Sequence, residues 1–185
     1  MIVGVDEVGR GPLAGPVVAA AVIFTKGNIP IGINDSKKLS AKKREQLSKE
    51  IILTARKYCI ASASVEEIDN INILQASLLA MRRAVDGLNI NPTMVYVDGN
   101  KLPDWNYTSE AIIKGDSKVI EIAAASIIAK VYRDNLLVEY DKKHPEYGFA
   151  QHKGYPTKVH LESVRKFGVL DIHRKSFKPI RELLI

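Results

Sequence analysis

Two adjacent carboxylates, Asp6 and Glu7, stand where an apolar run gives way to a glycine-rich turn, Val3-Gly4-Val5-Asp6-Glu7-Val8-Gly9-Arg10-Gly11-Pro12. Burial accounts for the valines but not for acids at a strand end. Anionic oxygen ligands suit hard cations: magnesium and manganese favour carboxylates and often take only one or two of them together with substrate phosphate. Two more acids close apolar runs further on. Asp98 follows Met94–Val97, and Asp116 follows Glu110–Ile113 and Lys114-Gly115. Singly, each has a plain structural reading, Asp98 as a turn residue and Asp116 as a helix N-cap before Ser117. Together, at strand ends on one side of an α/β sheet, they converge on one site. Four carboxylates there raise one another's pKa unless cations neutralise them. Acids bridging two divalent ions about 4 Å apart form the arrangement used for in-line displacement at phosphorus.

The elements that must position these acids follow from hydrophobic period. Residues 2–7 and 16–24 read as buried strands joined by the glycine turn, with further strands at 29–33, 59–65, 94–97 and 110–113. Ser40 caps a helix running to about Tyr58. Asn72 opens a second helix, on which Leu74, Leu78, Met81, Val85 and Leu88 recur at three and four. A third runs from Ser117 to about Lys142, and its Ala123–Ser126 centre permits close packing on a sheet. Residues 144–156 read as loop, and Thr157 starts a helix that Gly168 stops. Strands first, then strands alternating with helices, imply an α/β layer with a mixed sheet. With no repeat or linker, residues 1–185 read as one domain with a C-terminal helical appendage at about 143–185.

The chain has 185 residues, 46% hydrophobic and 26% charged, with a net charge of +6, as expected of a globular domain rather than a disordered chain. The positive excess is localised. Residues 37–49 carry six basic side chains against one acid, and residues 153–185 carry eight against three. Everything else, including the acid pair, is net negative. Basic segments around an acidic centre fit a polyanion held near a metal site. A lone cysteine, Cys59, excludes an intrachain disulfide or a zinc-thiolate centre. The N-terminus lacks a basic n-region, and the longest apolar stretch is too short to cross a bilayer. A cytoplasmic, monomeric protein is expected.

The chain resembles the type 2 ribonuclease H, or ribonuclease HII, family of bacteria. The resemblance rests on Gly4–Val17, Asn34-Asp35-Ser36-Lys37-Lys38-Leu39, Tyr96–Asn100, Lys114-Gly115-Asp116, Ala123–Lys130, Arg133-Asp134, His152–Thr157 and His173–Phe177, in family order along nearly the whole chain. It implies an RNase H-like fold, a mixed five-stranded sheet flanked by helices. It also implies endonucleolytic cutting of RNA in RNA–DNA hybrids and at single ribonucleotides embedded in duplex DNA, with roles in ribonucleotide and primer removal. Family metal ligands, for Mg2+ or Mn2+ as two ions, fall on Asp6, Glu7 and Asp98, with Asp116 as the fourth catalytic carboxylate. The family's glycine-arginine-glycine turn falls on Gly9, Arg10 and Gly11, and its ribose-sensing tyrosine on Tyr155. The chemistry of these residues agrees. Only the 2′-hydroxyl separates RNA from DNA at a given position, a glycine turn lets main-chain groups come close to it, and a tyrosine ring can stack on the sugar. Ser36, Lys37 and Lys38, just before a helix start, suit phosphate contacts. The chain starts almost at its first strand and lacks the N-terminal substrate-binding domain usual in type 3 relatives, which favours type 2.

Other readings fit less well. Gly9-x-Gly11-x-x-Ala14 follows the dinucleotide fingerprint, but Pro12 and Pro16 spoil the helix that should follow, and the acids repel a pyrophosphate. A DNA nuclease on the same fold shares the carboxylates but not the need for a ribose sensor. A non-catalytic nucleic-acid-binding protein has no use for four converging acids. Asp134 reads as a salt-bridge partner within a helix. Lys130, His152, His160 and His173 form no spaced ligand set and read as surface or hydrogen-bonded residues.

Overall fold

The computed structural model describes residues 1–33 and 39–184. A mixed five-stranded sheet runs in the order β3-β2-β1-β4-β5. β1 (Ile2–Val8) is antiparallel to β2 (Val17–Ile23), which is antiparallel to β3 (Lys57–Ala63). On its other side β1 runs parallel to β4 (Met94–Asp98), and β4 parallel to β5 (Ser109–Ile112). Parallel pairing brings the carboxyl ends of β1, β4 and β5 to one edge, where the glycine turn also sits.

The strand β2 explains the layering. Val17, Ala19, Ala21 and Ile23 join Val3, Val5 and the inner face of α2 (Val65–Asp86) in one apolar cluster. Val18, Ala20 and Val22 join Leu47 and Ile51 of α1 (Ala41–Thr54) and Ala124, Ala125, Ile127 and Ile128 of α3 (Ile120–Lys143) in another. Successive side chains of a strand face opposite ways, so a strand covered on both faces is apolar throughout. The small residues of α3 allow a near approach: a Cβ on Gly4 would overlap the main chain of Glu121 and Ile122. That approach lays Ser126 over β1.

A third cluster ties the C-terminal helices α4 (Phe149–His152), α5 (Lys158–Phe167) and α6 (Lys178–Arg181) to the turn after β1. Leu13 and Ala14 pack there with Leu137, Tyr147, Phe149, Val164 and Ile180.

Several boundaries differ from expectation. No strand forms at 29–33: the outer neighbour of β2 is β3, and Ile31 is 93% exposed. α1 stops at Thr54 rather than near Tyr58, because Tyr58 pairs with Val22 and the sheet claims those residues. α2 begins at Val65, not Asn72. Ser64 and Glu67 form a reciprocal capping box. Asn72 interrupts the helix with φ 68°, and its side chain accepts from the N–H groups of Leu74 and Gln75, capping the second half. Residues 144–156 are not all loop, since they include a 3-10 turn at Pro145–Tyr147 and α4. Thr157 and Gly168 bound α5 as the sequence requires.

Candidate active site

Asp6 and Glu7 occupy neighbouring positions on β1 and so leave the sheet on opposite faces. Asp6 lies under α3, where the Ser126 hydroxyl donates to it, and its Oδ1 also accepts from the Glu7 N–H at 2.7 Å. Glu7 faces α2 and pairs with the Arg10 guanidinium at 3.6 Å. Val5 is in register with Val97, which sets Asp98 beside them on β4. Asp98 Oδ1 accepts from the Gly115 N–H at 2.7 Å. This bond ties β4 to the 3-10 turn Gly115–Ser117 that carries Asp116. Asp116 therefore stands on a turn four residues past the end of β5.

The electrostatics are those of crowded, buried acids. Burial, then the charges of Glu7 and Asp98, holds the Asp6 carboxyl well above the usual carboxylate range, against the opposing bonds from Ser126 and Glu7. Burial likewise raises Glu7; Arg10 opposes the rise and Asp98 adds to it. Removing charge from water and crowding like charges both favour the protonated acid, and a bound divalent cation relieves both. Among the described residues no three His, Cys, Asp or Glu side chains are gathered tightly enough to hold an ion as they stand. The fit for magnesium or manganese rests on the donor chemistry: anionic oxygens, with no nitrogen or sulfur among them.

Glu7 and Asp98 form a wall between two cavities. One, of about 430 Å³, is bounded by Asp6, Ser126, Lys130, Arg44 and Tyr155. The other, of about 290 Å³, is bounded by Arg10, Asn100, Lys101 and the Ser77–Met81 face of α2. Each thus pairs the acids with cationic side chains.

The residues expected from the sequence come together in part. Asp6, Glu7 and Asp98 share the site, and Arg10 reaches it as the partner of Glu7. Tyr155 faces the same cavity, and Gly11 lies against its ring: a Cβ there would be 3.4 Å from Tyr155 Cε1. Gly9 (φ +96°) has no room for a side chain, since a Cβ would overlap the Arg133 guanidinium. Ser36, Lys37 and Lys38 lie outside the described residues. Asp134 forms the expected salt bridge, to Lys130 at 2.8 Å and Arg44 at 3.8 Å.

Sequence reasoning missed Arg44, Ser126 and Lys130. For Ser126 and Lys130 the signal was a polar stripe with Asp134 at intervals of four on α3. The expectation for the histidines holds in one respect only. His152, His160 and His173 are hydrogen-bonded, but they are buried. His173 Nδ1 accepts from the Leu170 N–H, and its Nε2 lies 3.1 Å from His160 Nε2. His160 Nδ1 in turn lies 2.9 Å from the Tyr155 carbonyl oxygen. One set of neutral tautomers satisfies the chain, with His173 Nε2–H donating to His160 and His160 Nδ1–H donating to Tyr155.

Comparison with known proteins places these observations. The ribonuclease HII family profile matches residues 3–180. A curated ribonuclease HII from Francisella tularensis subsp. novicida is 59% identical over 184 residues, covering 100% of both chains. Among solved structures, ribonuclease H2 from Pyrococcus horikoshii OT3 superposes with a TM-score of 0.82 at 30% identity, over 98% of this chain and 96% of that one. The PCNA:RNase HII complex from Archaeoglobus fulgidus gives 0.79 at 26%, over 99% and 96%.

Proposed function

Given that the chain belongs to the ribonuclease HII family, we propose that its acidic edge cuts the phosphodiester 5′ of a ribonucleotide, both in RNA–DNA hybrids and at single ribonucleotides in duplex DNA. The chain is a ribonuclease H, a hydrolytic nuclease acting on RNA–DNA hybrids. The observation that carries the finer reading is the opposition of two features across one cavity, a buried, repelling acid cluster and a tyrosine packed on a glycine turn.

Asp6, Glu7 and Asp98 would hold divalent metal, Mg2+ or Mn2+ as two ions, with Asp116 completing the site from the adjoining turn. When bound, the ions supply Lewis acidity for the attacking water and the leaving oxygen. The side chains of this chain do the rest. Ser126 fixes the rotation of the Asp6 carboxylate, and the Gly115 N–H fixes that of Asp98. Lys130, Arg44, Arg10 and Lys101 offer positive charge to the strand on either side. Ser36, Lys37 and Lys38, outside the described residues, would add phosphate contacts by residue type. The Gly9-Arg10-Gly11 turn presents main-chain donors to the 2′-oxygen while Tyr155 stacks on the sugar, a pairing that a deoxyribose cannot satisfy. Cutting leaves a 3′-hydroxyl and a 5′-phosphate. The enzyme on this reading is one catalytic domain over residues 1–185, monomeric and cytoplasmic; among the described residues no helix is long and apolar enough to cross a membrane.

The test is a duplex with one ribonucleotide in one strand, incubated with magnesium, with manganese and with chelator. A metal-dependent cut on the 5′ side of that ribonucleotide is the expected result. Cutting of long hybrids alone would remove the ribose-junction reading, and no cut with either metal would remove the site assignment.

A further inference from the structure

Behind the glycine turn lie two guanidinium groups with no part in the chemistry above. Arg174 donates from Nε to the Gly15 carbonyl at 2.9 Å, from Nη1 to that of Arg10 at 3.0 Å and from Nη2 to that of Gly9 at 2.6 Å. Arg133, on α3, donates from Nε to the Pro16 carbonyl at 3.2 Å, from Nη1 to that of Lys153 at 3.1 Å and from Nη2 to that of Ala14 at 2.9 Å. Both side chains are fully buried, and no carboxylate among the described residues forms an ion pair with either. Burial, and for Arg174 the neighbouring charge of Arg133, lowers the pKa of both, that of Arg174 to about 9. Asp134 opposes the fall for Arg133 and Asp69 for Arg174, but neither carboxylate pairs directly with its arginine, and a buried cation without a directly bonded carboxylate is a poor source of stability. The arrangement needs another reason.

Peptide geometry supplies one. In a trans peptide the C=O and the following N–H point opposite ways, and no peptide bond here is cis. Arg174 draws the carbonyls of Gly9 and Arg10 inward, so the same two peptide planes turn the N–H groups of Arg10 and Gly11 outward. Arg10 and Gly11 are exposed, and neither N–H has an acceptor among the described residues. The Tyr155 ring stands against Gly11. Its loop hangs from the same frame: Arg133 holds the Lys153 carbonyl, and the Leu13 N–H donates to the Gly154 carbonyl at 2.7 Å.

We propose that Arg174, seconded by Arg133, is a positioning residue for ribose recognition, fixing the polarity of the Gly9–Gly11 turn so that two main-chain donors stand ready for the 2′-oxygen. This rests on the reading of the turn and Tyr155 as the ribose sensor. Donors fixed in advance need no reorganisation when the substrate arrives. A deoxyribose in that place strips them of water and gives nothing back.

Arg174→Lys tests it, because lysine keeps the charge and loses the rigid fork. The expected result is a roughly ten- to thirtyfold lower kcat/KM on the single-ribonucleotide duplex, the loss of one or two ordinary hydrogen bonds. The Kd for an all-DNA duplex of the same sequence should not change. Wild-type kcat/KM in the folded variant overturns the proposal, as does a parallel loss of all-DNA binding, which would make Arg174 a brace for the whole surface. A variant that does not fold leaves the decision to amide hydrogen exchange in the unmutated protein, with calcium holding the complex uncut. Protection of the Arg10 and Gly11 amides by the ribonucleotide duplex but not by all-DNA duplex supports the proposal, and equal protection refutes it. Failure of the unmutated enzyme to cut the single-ribonucleotide duplex is a different result, which removes the ribose-sensor reading itself.

Discussion

The buried histidine chain makes folding stability depend on pH in a window where few other groups titrate. Burial lowers the pKa of His160 and of His173 to about 4, helped for both by the charge His152 would carry and, for His173, by that of His160. The tautomers explain the resistance to protonation. A second proton on His160 sets two N–H groups face to face with His173, and one on His173 Nδ1 meets the Leu170 N–H. The other titratable neighbours are Tyr147 in ring contact with His173, His144 and, around His152, Asp141 and Lys153. In the unfolded chain both imidazoles titrate near 6.5. Between pH 6.5 and 4 the unfolded state thus binds more protons than the folded one, so this contribution is complete above about 6.5 and is lost as pH falls toward 4. At pH 5 the loss is about 2 kcal/mol per imidazole, or about 4 for the pair. For a chain of this length that is roughly 10 °C in Tm. The buried acids Asp6 and Glu7 act in the opposite sense, since their raised pKa values favour proton uptake by the folded state. The assay is therefore a difference, with thermal melts from pH 7.5 to 5 for the wild type and for the His160→Asn, His173→Asn double variant. The wild type should lose about 10 °C more than the variant over that range. Identical pH dependence, or a His160 or His173 imidazole that titrates near pH 6.5 in the folded protein by NMR, refutes the reasoning.

Other expectations follow from single contacts. Asp6→Asn removes a buried charge repelled by Glu7 and Asp98, so Tm without divalent ions should hold or rise while cutting is abolished; retained cutting would sink the site assignment. Adding magnesium should raise the Tm of the wild type, because binding to the folded state alone stabilises it, and should raise that of Asp6→Asn much less. Tyr155→Ala should weaken cutting at a single ribonucleotide, and an unchanged rate there would remove Tyr155 from recognition. Gly4→Ala sets a methyl group into the main chain of α3 and should cost about 3 kcal/mol through overpacking, read as a urea-midpoint shift with unchanged m-value.

The sheet was legible because its strands advertise themselves. β2 is apolar at every position, and the acids stand where β1 and β4 stop, so both the layer and the edge of the site follow from period and punctuation alone. Long-range pairing erased local preference elsewhere. Residues 55–58 continue a helical pattern, yet β2 recruits Tyr58. The missed start of α2 was different, since Ser64 and Glu67 carry a complete capping box three residues apart, and the stronger break at Asn72 drew attention from it.

The hidden part of the site is hidden for a reason of kind. A sequence displays side chains, and Asp6, Glu7 and Asp98 act through theirs. Ribose recognition as proposed acts through main-chain donors, whose direction no local residue records. That direction is set by Arg174, 165 positions from the Gly9 carbonyl it holds, and by Arg133, 119 positions from that of Ala14. Each arginine reads in isolation as surface charge, and the basic C-terminal segment counted Arg174 toward a polyanion-binding surface. Its burial reverses that role. The positive charge faces inward onto carbonyls, and what reaches the substrate is the opposite end of the same peptide dipoles. Arg174→Lys and Lys178→Ala therefore separate two uses of one basic segment. Loss of exposed Lys178 should weaken nucleic-acid binding regardless of the sugar and flatten its salt dependence, whereas loss of the Arg174 fork should be felt only where a 2′-hydroxyl is present.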